Sequence, residues 1–193
     1  TITYLVKDPA GNSSGFAPTM NITVDTAVPT KPSVPTLAPA SDTGLSATDG
    51  ITRDNTPTIN GTGGTPGFDV ILKDGLGNTI GIAIVAADGT WSITPTTPLG
   101  DGTYNFTASY TSISGVVGPA SDPIRVVIDT VAPSAPAAPT ISTINPSATL
   151  GHTNSTTPVF EGSGLTPGNL VELFDGNTKV GSAIVDANGN YQI

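Results

Sequence analysis

The chain has 193 residues with no Cys, one His, six Lys+Arg against fifteen Asp+Glu, 23 Gly and 18 Pro. The lack of Cys excludes disulfides, zinc-thiolate sites, thiol nucleophiles and iron–sulfur clusters, and the single imidazole, His152, leaves little for His-based metal or acid–base chemistry. A formal net charge of -9 opposes the phosphates of nucleic acids and anionic lipids, so neither nucleic-acid binding nor membrane insertion is expected.

Thirteen of the carboxylates are Asp and only Glu161 and Glu172 are Glu, which places negative charge in turns, because Asp competes with helix formation. Thr, Val, Ile, Gly and Pro are abundant and only 11% of residues are charged, an all-β composition. No apolar run approaches the roughly 18 residues of a membrane-spanning helix. There is no initiator Met and no basic leader, so the chain reads as an internal piece of a longer one.

In chain order, residues 1–24 resemble residues 105–128. Val24-Asp25-Thr26-Ala27-Val28-Pro29 returns as Ile128-Asp129-Thr130-Val131-Ala132-Pro133, with the Asp residues 104 positions apart. Thr56-Pro57-Thr58-Ile59-Asn60-Gly61 returns as Thr157-Pro158-Val159-Phe160-Glu161-Gly162, and Val70-Ile71-Leu72-Lys73-Asp74-Gly75 as Val171-Glu172-Leu173-Phe174-Asp175-Gly176. The expected organisation is the C-terminal part of one repeat (1–24), a complete repeat (25–128) and the N-terminal part of a third (129–193). A period near 100 residues is that of a domain, not a solenoid.

Within the complete repeat, alternation and turn chemistry predict strands at 31–37, 56–62, 68–73, 79–86, 90–94, 104–111 and 124–128. Asp74-Gly75-Leu76-Gly77-Asn78 and Ala87-Asp88-Gly89 are the expected hairpin turns, with Asp74, Asp88 and Asp175 as turn residues. Seven short strands in about 100 residues match an immunoglobulin-like sandwich. Period-2 spacing puts Trp91 with Ile93 on one face and Tyr104, Phe106 and Ala108 on another. Trp91 reads as a core anchor, with a sugar-stacking platform as the alternative, and Tyr191 takes its place in the third repeat.

Together the linker Asp-Thr-x-x-Pro, the run from Ser41-Asp42-Thr43-Gly44 to Asp49-Gly50-Ile51-Thr52-Arg53-Asp54-Asn55-Thr56-Pro57, and Asp88-Gly89-Thr90-Trp91-Ser92-Ile93 resemble the bacterial Ig-like repeats of giant surface adhesins. Those are biofilm-associated, RTX-type proteins exported by type I secretion. The resemblance implies a secreted, cell-surface stalk of tandem β-sandwiches, often stiffened by Ca2+ at domain junctions, and no catalysis. It further implies neighbouring repeats as the immediate partners, a monomeric rod when complete, and a host-surface or biofilm-matrix ligand engaged through other regions.

In such a topology the loop 42–55, the loop at Leu99-Gly100-Asp101-Gly102 and the linker at Asp129 share the C-terminal pole. That makes Asp49, Asp54 and Asp129 the leading Ca2+ ligands, with Asp42, Asp101 and Asn55 as additions, since Ca2+ takes about 6–8 oxygens in tolerant geometry. The Asp186-Ala187-Asn188 turn of the next repeat is expected to face this junction. Turn formation and amide capping are the competing reading of these Asp residues. The third repeat carries Asn145, His152 and Asn154 in the equivalent loop and no acid there. The whole repeat has Ser112-Ile113-Ser114-Gly115-Val116 where the first has Lys7-Asp8-Pro9-Ala10-Gly11-Asn12.

Three proline residues in each linker, 28–35 and 132–139, favour extended backbone without any metal. Catalytic readings fail: His152 has no nearby carboxylate, aromatics are 5% of residues, and the Gly-rich stretches at Gly61 and Gly162 precede no helix. A carbohydrate- or ligand-binding module of an adhesin, or an accessory domain of a secreted polysaccharide-degrading enzyme, are the alternatives to a spacer. The end pieces lack strands needed to close a core, so exposed apolar faces, or pairing of the two ends between chains, are expected.

Overall fold

The computed structural model describes residues 1–143 and 152–193. It divides into two compact units, Thr1–Val131 and Ala132–Ile193. All regular elements among the described residues are strands, so the all-β expectation holds.

In the first unit, alternating apolar residues separated by Gly- and Asp-bearing turns form eight strands: β1 (Thr36–Leu37), β2 (Ile51–Thr52), β3 (Ile59–Gly61), β4 (Asp69–Lys73), β5 (Thr79–Ile84), β6 (Trp91–Ile93), β7 (Gly102–Thr111) and β8 (Ile124–Ile128). They make a three-stranded sheet, β1-β3-β6, and a five-stranded sheet, β2-β8-β7-β4-β5. Each strand turns its alternate residues inward. Val70 and Leu72 of β4, Phe106, Ala108 and Tyr110 of β7, and Val126 and Ile128 of β8 meet Ile59, Trp91 and Ile93 of the smaller sheet in one buried cluster. This is the sandwich core. Trp91 is only 4% exposed, and its Nε1 donates to the Tyr110 hydroxyl at 3.4 Å, so the ring is a core anchor.

Two details depart from the sequence reading. The first expected strand, 31–37, pairs only at Thr36–Leu37, because Pro32 and Pro35 have no N–H to give a ladder; both are buried instead. The second is β2, expected as loop. It runs parallel to β8, pairing Ile51 with Val127 and Thr52 with Ile128, and so adds an eighth strand at the edge of the larger sheet.

Residues 1–24 form a hairpin whose backbone bonds copy β7 and β8 at an offset of 104. Ser14 N–H donates to the Val6 carbonyl as Gly118 does to Tyr110, Ala17 to Tyr4 as Ser121 to Ala108, and Asp8 to Asn12 as Ser112 to Val116. The inward row of the central repeat has no counterpart cover here: Ile2, Tyr4, Val6, Ile22 and Val24 are exposed, Tyr4 by 70%.

The second unit contains β9 (Thr140–Ile141), β10 (Phe160–Gly162), β11 (Leu170–Asp175), β12 (Thr178–Ile184) and β13 (Tyr191–Gln192), in sheets β13-β10-β9 and β11-β12. The registers repeat those of the first unit: Gly162 opposes Tyr191 as Gly61 opposes Trp91. Val185 and Tyr191 are buried like Val85 and Trp91, whereas Phe160, Val171 and Leu173 are only half-buried, against complete burial of Ile59, Val70 and Leu72.

Candidate functional site

The five-stranded sheet positions the acidic residues. At one end of it Thr52, Ile128 and Gly102 lie in a row across β2, β8 and β7. The chain continuing past that row carries Asp54 after β2 and Asp129 after β8, and the chain entering β7 carries Asp101. The Asp129 N–H donates to the Thr52 carbonyl at 2.9 Å, and the Leu99 N–H to the Asn55 carbonyl at 2.8 Å, tying loop, linker and strand entry together.

Each of these carboxylates holds a turn or a linker amide through Oδ1. Asp54 accepts from the Thr56 N–H at 2.9 Å and its hydroxyl at 3.2 Å, and Asp129 accepts from the Val131 N–H at 3.0 Å. Asp101, just before β7, accepts from the Thr130 N–H at 3.1 Å and its hydroxyl at 2.8 Å, just past the neighbouring β8. Asp25, the counterpart of Asp129 one repeat earlier, accepts from the Ala27 N–H at 3.0 Å in the same turn. One oxygen of each carboxylate is thereby left outside the turn bond.

Asp49 and Asp42 stand elsewhere. Because β2 runs parallel to β8, Asp49 precedes it, on the side of Arg125, whereas Asp54 follows it. Asp49 Oδ1 accepts from the Ile51 N–H at 3.0 Å. Asp42 is 8% exposed; its Oδ2 accepts a long 3.4 Å bond from the Gly50 N–H, and its Oδ1 is buried with no hydrogen-bond partner. Among the described residues no three His, Cys, Asp or Glu side chains gather closely enough to hold a metal ion. For Ca2+ the donor type is right, but this chain's carboxylates alone do not complete a shell of about 6–8 oxygens.

Sequence reasoning missed the residue that organises the loop. Thr52, 1% exposed, donates its hydroxyl proton to the Ser41 carbonyl and accepts from the Asp54 N–H at 2.9 Å. With that proton committed, the 2.9 Å contact with Thr43 Oγ1 has Thr43 as donor, and Thr43 in turn accepts from the Arg53 N–H at 3.1 Å. Ser41 Oγ accepts from the Thr58 N–H at 3.0 Å. The only sequence signal was the run Ser41-Asp42-Thr43 opposite Thr52, whose pairing is not local.

Asp8, Asp74, Asp88 and Asp186 serve turns, whereas Asp175, expected in a turn, ends β11 opposite Thr178, and Lys31 and Lys179 pair with Asp122 and Glu172. The Asn78 side-chain amide and neighbouring N–H groups hold the Asp74 carboxyl below its ordinary range, and the Thr90 hydroxyl and N–H do the same for Asp88. Asn12 lowers Asp8 by side-chain and backbone bonds, and the N–H groups of Asn190 and Asn188 lower Asp186. In the central repeat Ser112 Oγ accepts from the Val116 N–H at 3.1 Å, as Asp8 Oδ1 does from Asn12 at 2.8 Å, so a hydroxyl keeps the turn where the carboxylate is missing. His152 is exposed, and Asn145 lies outside the described residues. No helix among the described residues is long and apolar enough to cross a membrane.

The chain is similar to a biofilm associated protein, BSP domain, at 24% identity over 74% of this chain and 22% of that one, with a TM-score of 0.27. It is similar to a Ca2+-stabilized adhesin that helps an Antarctic bacterium reach out and bind ice, at 20% identity over 98% of this chain and 46% of that one, TM-score 0.37. A 1.5-MDa bacterial ice-binding adhesin, described for host cell surface retention, aligns at 17% identity over 97% of this chain and 60% of that one, TM-score 0.35. The chain thus spans less than two thirds of each of these structures. No curated protein matches it. The family model for the bacterial Ig-like domain matches residues 28–130, more than half of the chain and nearly all of the central sandwich, and the protein belongs to that family.

Proposed function

We propose that this chain is a non-catalytic spacer from the stalk of a large bacterial surface adhesin, secreted and held outside the cell, where tandem sandwiches project a distal adhesive region. The observation that carries this reading is the treatment of the linker. Asp129 and Thr130 are bonded back onto the domain they leave, through the Thr52 carbonyl and the Asp101 carboxylate, and the prolines at 133, 136 and 139 follow at once. A chain so held leaves its sandwich in a set direction, which is what a spacer requires and a ligand-binding loop does not.

Ca2+ stiffens the junction that follows the central repeat, with Asp54, Asp101 and Asp129 as its nearest acidic donors and carbonyls, water or groups of the following repeat completing the shell. Asp42 and Asp49 belong to the same loop and take part through its conformation. Without a cation these carboxylates repel one another at the pole, and with one they are drawn together, so stability and metal are linked by mass action. Titrating metal-free protein with Ca2+ by calorimetry tests the reading. Binding heat that is present in the native chain and absent in Asp101→Asn and Asp129→Asn supports it; no heat, or heats unchanged in both variants, removes the cation from the proposal. Asp49→Ala and Asp54→Ala then separate the strand-end group from the loop.

A further inference from the structure

We infer that the central repeat is a tension-bearing clamp: a pull on its two linkers draws the parallel strands β2 and β8 past each other lengthwise, so that their bonds resist together. The use of such a clamp rests on the spacer reading above, since a stalk is what carries tension. The entry linker is fastened near the start of β8. Pro29 is buried, and a Cβ on Gly118 would stand 2.7 Å from the Pro29 carbonyl oxygen, so the linker lies directly against the segment leading into β8. Lys31 Nζ then donates to Asp122 Oδ1 at 2.8 Å, just before β8 opens. That ion pair is exposed on both sides and contributes little by itself. The buried Pro29, Pro32 and Pro35 fix the segment instead.

From Lys31 the chain travels in the same direction as β8. At its far end the Thr52 hydroxyl donates to the Ser41 carbonyl and the Gly50 N–H to Asp42 Oδ2, while Thr43 Oγ1 bonds both Thr52 and the Arg53 N–H. The entry segment is thus tied to β2, and β2 to β8: the Val127 N–H donates to the Gly50 carbonyl at 2.8 Å and the Asp129 N–H to the Thr52 carbonyl at 2.9 Å. The exit linker departs beyond these bonds. Tension therefore drags the entry segment and β2 toward one pole and β8 toward the other. Strands drawn along their axes must give up their bonds together, whereas a pull across the sheet opens a ladder one bond at a time. Thr52 and Ile128, which pair in this ladder, are each only 1% exposed, so water has little access to replace the bonds as they stretch.

The test is single-molecule force spectroscopy on the full chain at constant force, in chelator. The native chain has no Cys, so handles attach at chosen pairs. Ala27→Cys with Val131→Cys pulls from linker to linker. Leu76→Cys with Val131→Cys pulls across the strands, because Leu76 is fully outside in the turn that sits against Asn105 of β7. At equal force the central repeat is expected to survive at least about tenfold longer in the first geometry than in the second. Val127→Pro deletes the N–H that bonds Gly50 and is expected to shorten the linker-to-linker lifetime about tenfold, with a smaller change crosswise. Equal lifetimes in the two directions overturn the inference, and so does a folded Val127→Pro protein whose linker-to-linker lifetime is unchanged. If that variant does not fold, the comparison of directions decides alone. With Ca2+ chelated, the outcome is independent of the calorimetric test: a chain that binds no cation can still show the clamp, and a chain that binds Ca2+ can lack it.

Discussion

Asp101 and Thr130 are 29 positions apart in sequence, yet one carboxylate oxygen of the first receives both the N–H and the hydroxyl of the second, at 3.1 and 2.8 Å. Asp101 opens β7 and Thr130 lies just beyond β8, so the bond joins the entrance of one strand to the exit of its neighbour at the point where the linker departs. The pair is exposed, which limits its worth to that of a single charge-assisted cap.

Asp101→Ala is expected to lower stability by about 1 kcal/mol, a fall of roughly 4–8 °C in Tm for a domain of this size. Thr130→Ala should cost less, because the backbone N–H still bonds Asp101. Thermal melts of the two single variants and the double variant check this: the double should lose no more than Asp101→Ala alone.

Gly61 has no room for a side chain. A Cβ there would meet the Trp91 indole, and in the third repeat a Cβ on Gly162 would meet the Tyr191 ring. Gly61→Ala should therefore displace the indole and cost about 1–3 kcal/mol by overpacking. Trp91 is the sole Trp, so its fluorescence reports the change directly: a red-shifted emission in the folded variant is expected, and an unshifted spectrum with unchanged Tm would count against the packing argument.

Acid sensitivity follows from the turn carboxylates. Asp8, Asp74, Asp88 and Asp186 are all held below the usual carboxylate range by hydrogen bonds from neighbouring side chains and N–H groups. A carboxyl lowered in the folded state binds fewer protons there than when unfolded. Its contribution is present above the unfolded value and is lost as pH falls through the folded one. Tm is expected to be flat from about pH 8 to 5 and to fall below about pH 4. Asp74→Asn should shallow that acid limb without steepening it elsewhere, as melts at fixed ionic strength would show.

Much of this protein was legible locally. The 104-residue period, the alternation that sends Val70, Leu72, Phe106, Ala108 and Tyr110 inward, and the Asp-Gly turns at 74 and 88 all depend on neighbours in sequence, and the structure reproduces them. Period-2 patterning and turn chemistry are properties of a few consecutive residues, so they survive without tertiary information. The burial of Trp91 followed in the same way.

Tertiary structure alone decided the acidic loop. Ile51–Thr52 is too short for alternation to mark it as a strand, and its partner lies 76 positions away in Val127 and Ile128. That parallel pairing moves Asp49 back along the sheet while bringing Asp54 to the end shared with Asp101 and Asp129. It also buries Thr52 as the centre of a hydrogen-bond network and leaves one oxygen of Asp42 buried and unbonded. Parallel contacts between distant segments leave no periodic trace in either segment, because each strand's side-chain pattern is set by its own faces and not by which neighbour lies along its edge.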